Sequence, residues 1–225
     1  MLHLTPRLEA VADTVEPCEC VADIGTDHAY VPIRLLQAGK ASRAIAVDIH
    51  KQPLENAHRS IVRFGLENRI ELRLSNGMQN LRAGESQAFV VAGMGGEQIA
   101  EMIEATPWLR KTGVQLVLQP MTHCEDVRRA LRKNGFSLTS EKTVAEGKRI
   151  YLIISAHHSD DVQMPVSPGF DYVGALRPQE VETDRLFLLN TLRRLQVKAE
   201  ALHGKDETAV YRLEAVIQEV SDVCR

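Results

Sequence analysis

The stretch from Val21 to Pro32 constrains the fold more than any other part of the chain. A short apolar segment ends in Asp23-Ile24, a glycine follows at position 25, and an amphipathic helix then begins. A glycine lets the backbone approach a bound molecule closely, and the start of a helix offers free N–H groups. In α/β proteins this strand–turn–helix unit builds one wall of a nucleotide-type pocket.

Apolar segments alternate with amphipathic ones along the first 158 residues. The central apolar segments carry no polar face, which indicates parallel strands covered by helices on both sides. The last two strands are joined by a short turn near Gly147 and are expected to pair antiparallel. The chain is therefore predicted to be α/β, with a doubly wound, Rossmann-like sheet. The predicted strands span residues 20–24, 43–48, 69–74, 88–92, 114–118, 136–144 and 149–155.

Composition narrows the class of protein. The chain has no apolar stretch near about 18 residues and no basic N-terminal segment followed by an apolar run, so we expect a cytoplasmic protein without a membrane segment. The four cysteines show no zinc-ligand spacing, so no metal is expected. Residues 1–158 carry 19 Lys and Arg against 18 Asp and Glu, whereas residues 159–225 carry 8 against 12. Any basic surface for nucleic acid is therefore expected in the first part.

The residue pattern changes after position 158. Residues 159–174 are polar and rich in proline and glycine, which predicts a linker between a domain of residues 1–158 and a helical unit of residues 175–225. In that unit apolar positions recur at alternating steps of four and three, which predicts an antiparallel coiled-coil hairpin. Two ordinary helices packed on the first domain would show the same spacing. The repeating positions are Val181, Arg185, Leu188, Leu192, Leu195, Ala199 and Leu202, then Ala209, Leu213, Val216, Val220 and Val223.

Polar residues and glycines stand where four successive predicted strands end: Asp23, Asp48, Asn76 and the segment 92–96. The carboxyl ends of strands in a doubly wound sheet face one crevice. Asp48, in the second strand, is placed to accept both hydroxyls of a ribose. Asn76 is placed to meet an adenine edge.

The first turn favours one adenosine cofactor over another. Pyrophosphate binding favours the pattern G-x-G-x-x-G, whereas residues 23–28 read D-x-G-x-D-H, with one glycine and two carboxylates. Carboxylates repel phosphates but suit the ammonium and sulfonium groups of S-adenosyl-L-methionine. We therefore expect that cofactor rather than NAD.

The sequence DIGTDHAYVP at residues 23–32, with AGMGG at 92–96 and Gln119-Pro120, resembles the bacterial tRNA (adenine-22-N1)-methyltransferases, the TrmK family. The likeness runs from Thr5-Pro6-Arg7-Leu8 to Tyr151 and includes the helical tail. It implies a class I methyltransferase domain with a small coiled-coil domain, and methylation of N1 of the adenine at tRNA position 22. One departure is Asn76, where an aspartate is usual; an amide still accepts from the adenine amino group, so cofactor binding is expected to survive.

The resemblance also implies residue roles. Asp23, Gly25, Asp27 and His28 would line the methionine side of the cofactor, and Arg7 would reach its carboxylate. Asp48 would hold the ribose, and Asn76 and Gly77 would border the adenine. Gly93, Met94 and Gly95 would separate the cofactor from the target base. Gly93 to Gly96 would form one wall of the base pocket.

For methyl transfer from S-adenosyl-L-methionine, the main task of the protein is to align N1 of adenine with the methyl carbon. The methylated product is cationic, so Asp27 is the candidate for stabilising developing charge, with Met94 and Gly95 positioning the reactants. Tyr30 is a candidate contact to the base. Arg128, Arg129, Arg132 and Lys133 are candidates for a tRNA-binding surface, with a solvated helix face as the alternative.

Other functions remain open at this point. The cofactor is compatible with another RNA or a small molecule as methyl acceptor. An NAD-dependent oxidoreductase is disfavoured by the single-glycine turn, and a non-catalytic binding module by the full set of strand-end residues. A monomer that binds tRNA is the favoured assembly.

Overall fold

The computed structural model describes residues 2–158 and 164–225. A seven-stranded sheet has the order β3-β2-β1-β4-β5-β7-β6, with β1 to β5 parallel and β7 antiparallel to both neighbours. The predicted doubly wound fold and the antiparallel final pair are confirmed. In chain order the elements are α1 (Pro6–Thr14), β1 (Cys18–Ile24), α2 (Tyr30–Gln37), β2 (Ala41–Asp48), α3 (Lys51–Phe64), β3 (Ile70–Leu74), β4 (Ala88–Met94), α4 (Gly96–Glu104), α5 (Leu109–Thr112), β5 (Gln115–Pro120), α6 (Cys124–Lys133), β6 (Phe136–Glu146), β7 (Arg149–His158), α7 (Pro168–Val173), α8 (Glu182–Leu202) and α9 (Glu207–Cys224).

Successive side chains of the central strands pack alternately into two apolar layers, one on each face of the sheet. In β1, Ala22 and Ile24 point into one layer with α4 and α6, while Val21 points into the other with α1 and α2. Both layers are buried because successive side chains of a strand point to opposite faces. This packing holds the strand ends rigidly in one row, which is where the predicted site residues stand.

The predicted linker is wrong in its second half. Its first described residue, Met164, is buried, and residues 168–173 form α7, which packs against α6 and α9. Ser167 caps the helix by accepting from the Phe170 N–H, and Pro168 occupies the first turn, where its fixed φ suits a helix. The proline and glycine that suggested a linker are helix-start residues here. Residues 159–163 lie outside the described residues.

Helices α8 and α9 pack on each other, α8 also packs on β6 and β7, and α9 packs on α7. Leu188, Leu192 and Val220 share one buried apolar cluster with the sheet, so the hairpin and the packed-helix interpretations both hold in part. The predicted register fails at the start of α8. Arg185 is exposed, whereas Asp184 is buried because it bonds to β6. No helix among the described residues is long and apolar enough to cross a bilayer.

Candidate cofactor and acceptor site

Part of the predicted strand-end set lines one cavity of about 580 Å³ at the carboxyl edge of the sheet, whereas Asp23, Gly93, Gly95 and Gly96 lie outside its lining. Gly25, Asp48, Asn76, Gly77 and Met94 all contribute to its wall, as the sequence predicted. The cavity is open to solvent and has a mixed polar and apolar lining, which suits a nucleoside with charged substituents.

Asp23 lies beneath the first turn and is 5% exposed. The Thr26 hydroxyl donates to its Oδ2 at 2.7 Å. Burial raises the pKa of Asp23 to about 6, the Thr26 hydrogen bond opposes this, and the charge of Asp48 adds to it. The N–H groups of Gly25 and Thr26 donate to Val47 O, at 2.8 and 2.9 Å, which ties the turn to β2.

Two glycines allow close packing across the cavity. Gly25 has φ +79°, and a Cβ there would overlap the Met94 methyl group. Gly77 has φ +55°, and a Cβ would lie 2.9 Å from the Met102 sulfur. Both positions combine a backbone conformation that favours glycine with a methionine packed directly over it. The two flexible methionine side chains therefore form a wall that can repack around a ligand.

The remainder of the first turn is more exposed. Asp27 has φ +45°, and its carboxylate lies 3.5 Å from His28 Nε2. The His28 ring stacks on Tyr30 with centroids 5.0 Å apart. Ala29, in the left-handed region at φ +56°, starts α2. The side chains of Asp27, His28 and Tyr30 lie outside the lining of the cavity.

Arg7 belongs to α1 and lies outside the lining of the cavity. Its Nη1 donates to the Gln119 side-chain oxygen at 2.6 Å, and its backbone N–H donates to Glu146 at 2.9 Å. Its guanidinium carbon lies 5.5 Å from the centroid of the Tyr151 ring. A Cβ on Gly93 would lie 3.7 Å from Arg7 Nη1, so this cation lies beside the end of β4.

Asp48 ends β2 with its side chain 11% exposed. Its Oδ1 accepts from the His50 N–H at 2.9 Å, and its carbonyl accepts from the Ser75 N–H at 2.9 Å. Asn76 follows Ser75 and is exposed on the cavity wall. The carboxylate and the amide thus stand on neighbouring strand ends.

Two adjacent glycines after β4 have different surroundings. Gly95 is the N-cap of α4, and a Cβ there would make ordinary contacts with Thr122 Oγ1 at 3.6 Å and Gln98 Oε1 at 3.8 Å. Gly96 is buried, and its N–H donates to Thr122 O at 2.9 Å. A Cβ on Gly96 would overlap the carbonyls of Thr122 and His123.

Comparison with known proteins decides the family. A family profile described as "Methyltransferase domain" matches residues 4–154. The tRNA (adenine(22)-N(1))-methyltransferase of Bacillus subtilis is 35% identical over 159 residues, covering 71% of this chain and 67% of the relative. The chain belongs to the TrmK family.

Solved structures agree with this family. The crystal structure of the B. subtilis m1A22 tRNA methyltransferase TrmK matches with a TM-score of 0.87 and 28% identity, covering all of both chains. Sp1610 of Streptococcus pneumoniae, solved in complex with S-adenosyl-L-methionine, matches with a TM-score of 0.81 and 29% identity over 99% of this chain and all of that one. The match includes α8 and α9, so the helical tail belongs to the TrmK-family architecture.

The four predicted tRNA contacts on α6 differ in their exposure to solvent. Arg128 is buried, with its side chain 0% exposed, so it is not a surface contact, and that prediction is wrong. Arg128 belongs to a run of basic residues in α6 that is typical of a solvated helix face. It is buried because α7 covers it, and α7 lies in the segment that was predicted to be a linker. Arg132 is mostly buried and bonds to Asp171. Arg129 and Lys133 are exposed and stay predicted contacts.

The residues that line the α4 side of the cavity were not predicted from the sequence. Most of them lie on one face of α4, at the three- and four-residue spacing of a helix. That spacing is visible in the sequence once the end of β4 is known. Trp108, the single tryptophan, closes the cavity beyond α4 and packs on Phe89. The missed lining residues on and after α4 are Gln98, Glu101, Met102, Ala105, Thr106 and Trp108.

One group of possible metal ligands lies at the start of α6. Single atoms of Glu97, His123 and Asp126 all come within 4.8 Å of one another. His123 stands within ion-pair distance of the carboxylates of Glu97, Glu125 and Asp126. An exposed charge cluster accounts for these residues, and the absence of a metal stays a prediction.

Proposed function

We propose that this chain transfers the methyl group of S-adenosyl-L-methionine to N1 of the adenine at position 22 of tRNA. The observation that carries the proposal is the cavity at the ends of β1, β2 and β4, in a chain of the TrmK family. Asp23 stands two residues before Gly25 and Asp27 two residues after it, so the turn between β1 and α2 is acidic. That turn suits a cationic cofactor and disfavours the pyrophosphate of NAD.

The residues present fit S-adenosyl-L-methionine. Asp23, buried and aimed at the turn, suits the ammonium of the methionine moiety, and Arg7 suits its carboxylate. Asp48 suits the ribose hydroxyls, and Asn76 and Gly77 border the adenine end of the cavity. The methyl group carried on the sulfonium is already activated, so the protein needs to supply binding and alignment rather than a stronger nucleophile.

The acceptor base is expected beside Met94, Gly95 and Gly96. N1 of adenine is neutral with an available lone pair, so no base is required before attack. N1 lies on the Watson–Crick edge, so the adenine must leave its stack to enter the pocket. Gly95 has no side chain to obstruct that entry, and Tyr30, which is exposed and stacks on His28, stays a candidate contact to the base. Asp27 stays the candidate for stabilising the cationic product.

The test of this function is incubation of the chain with labelled S-adenosyl-L-methionine and unmodified tRNA, followed by reverse transcription. N1-methyladenine blocks Watson–Crick pairing, so arrest is expected at position 22. Arrest elsewhere would assign another RNA position, and an unlabelled tRNA would refute the proposal. The same assay in the presence of NADH alone is the matched blank. We further propose that the chain acts on tRNA in the cytoplasm as a monomer.

Trp108 provides a direct readout of cofactor binding. It lines the cavity and is the single tryptophan of the chain. We expect titration with S-adenosyl-L-methionine to change its emission, because an adenine in the cavity alters the environment of the indole. Trp108→Phe should remove the change while calorimetry still records binding. An unchanged emission in a protein that binds by calorimetry would place the cofactor away from this cavity.

Gln119 is expected to matter for the cofactor although it is fully buried. Its Nε2 donates to Pro120 O at 2.9 Å, which turns Oε1 towards Arg7 Nη1. Gln119→Leu should raise the Kd of S-adenosyl-L-methionine by about tenfold, the cost of a charge-assisted hydrogen bond. Tyr151→Phe, which keeps the aromatic face under Arg7, is the control. Equal Kd values for Gln119→Leu and wild type would show that Arg7 needs no positioning.

A further inference from the structure

Arg128 is the centre of a buried polar contact between α6, β6 and the segment leading to α8. Its Nε donates to Glu141 Oε1 at 2.8 Å, and both side chains are 0% exposed. Its Nη1 donates to the carbonyls of Asp171 and Tyr172 at 2.8 and 3.0 Å. One guanidinium therefore joins a helix, a strand and the end of α7.

Gly174 completes this contact. It has φ +61° and ψ −137°, a region open essentially to glycine, and a Cβ there would overlap the Glu141 carboxylate and the Arg128 guanidinium. The next N–H, of Ala175, donates to Glu141 Oε2 at 2.6 Å. We call Arg128, Glu141 and Gly174 the clamp. Its two charges are satisfied by each other and by backbone groups of residues 171–175.

A second polar contact stands two residues further along β6. The Thr143 hydroxyl donates to Asp184 Oδ1 at 2.6 Å, and Asp184 Oδ2 accepts from the Arg177 N–H at 2.9 Å. Residues two apart in a strand share a face, so Glu141 and Thr143 face the C-terminal helices together. The end of α7 is thus attached to β6 through Glu141, and the start of α8 is attached to β6 through Thr143.

The N-terminal end of α6 lies at the predicted acceptor pocket. The residues just before it, Thr122 and His123, pack on Gly96, and α4 and α6 are in contact. Arg128 stands about one turn into the helix from His123. A single short helix therefore connects the wall of the base pocket with the attachment of α8 and α9.

Apolar contact alone fixes orientation weakly, because it is non-directional. A buried ion pair adds little net stability, since desolvation offsets its attraction, but its hydrogen bonds have a defined geometry. We propose that the clamp sets the orientation of α8 and α9 relative to the acceptor pocket, so that Arg128, Glu141 and Gly174 are positioning residues for the RNA substrate. This inference rests on the proposed methylation of tRNA.

Steady-state kinetics of Gly174→Ala test the clamp. The added methyl group has to push Glu141 from Arg128, so we expect the KM for tRNA to rise about tenfold or more through misplacement of α8 and α9. The Kd of S-adenosyl-L-methionine, read from Trp108 emission, should not change, and kcat at saturating tRNA should stay near that of wild type. Gly65→Ala is the matched control, because Gly65 has φ +64° but open space around its Cβ position.

Glu141→Gln is the second variant, for use if Gly174→Ala does not fold. Its amide keeps the shape of the side chain but has one acceptor oxygen where the carboxylate has two, so either Arg128 Nε or the Ala175 N–H faces an NH2 group and loses its acceptor. The same rise in KM is therefore expected. A folded variant with the KM of wild type would overturn the clamp as a positioning device. Absence of tRNA methylation by the wild-type chain would instead refute the proposed function and with it this role.

Discussion

Asp23→Asn is expected to bind S-adenosyl-L-methionine at least about 30-fold more weakly than wild type while unfolding at higher denaturant concentration at pH 8. The loss of affinity follows from removing the charge that we propose faces the cofactor ammonium, an effect of about 2 kcal/mol or more for a buried charged pair. Calorimetric titration measures this first effect. Wild-type affinity should also fall below about pH 6, where the Asp23 carboxylate becomes protonated.

The gain in stability follows from the raised pKa. Burial takes the pKa of Asp23 from 3.8 to about 6, so its folded state favours the neutral carboxylic acid. The stability gained by holding the neutral acid is complete below pH 3.8, the pKa of Asp23 in the unfolded chain. This stability is lost as the pH rises through about 6, its pKa in the folded protein. At pH 8 the ionised carboxylate therefore costs about 3 kcal/mol, at 1.36 kcal/mol per pKa unit. An asparagine avoids this cost and still accepts from the Thr26 hydroxyl.

Urea unfolding of both proteins at pH 8 and pH 4 separates these contributions. The difference in unfolding free energy should be large at pH 8 and should shrink towards pH 4. Asp27→Asn is the control, because Asp27 is exposed and asparagine tolerates its positive φ, so its unfolding free energy should match wild type. If Asp23→Asn unfolds more easily than wild type at pH 8, the ionised carboxylate stabilises the fold. In that case the expected cost of burying its charge would be wrong.

The strand-end residues illustrate what sequence patterns predict well. Asp48, Asn76 and Gly77 follow apolar segments, and the rule that parallel strands end at one edge brings them to the same cavity. Gly25 in the first turn was predicted in the same way and lines the cavity, whereas Asp27, His28 and Tyr30 lie outside its lining. Gln98, Met102 and Trp108 were not predicted, because they reach the cavity from α4 and the residues after it, whose placement is set by packing on the sheet.

Arg128 and Asp184 show where sequence patterns fail. An arginine on a basic helix is most often solvated, and its burial here depends on α7, some forty residues away in sequence. A buried aspartate at the start of α8 broke the heptad register because its partner, Thr143, stands on β6. Both are long-range polar contacts, which leave no periodic pattern in the sequence. They also attach the helical tail, which explains why that part was hardest to predict.

Gly95→Ala and Gly96→Ala are expected to fail in opposite ways although the residues are adjacent. Gly96→Ala should destabilise the protein by about 3 kcal/mol, because its methyl group meets backbone carbonyls that cannot rotate away. Gly95→Ala should stay within about 1 kcal/mol of wild type, because its φ of −65° suits alanine and its new contacts are ordinary. Urea unfolding measures both.

The effects on methyl transfer are expected in the opposite order, with the larger loss for Gly95→Ala. At position 95 the methyl group would stand on the wall between cofactor and acceptor base, and a displacement of about 1 Å there costs about 100-fold in rate. Gly95→Ala should therefore bind S-adenosyl-L-methionine normally by Trp108 emission and lose methyl transfer to tRNA. Gly96→Ala, assayed at low temperature where it remains folded, should lose less per folded molecule. Full activity of Gly95→Ala would move the acceptor base away from this glycine and leave Gly96 with a purely structural reason for its small size.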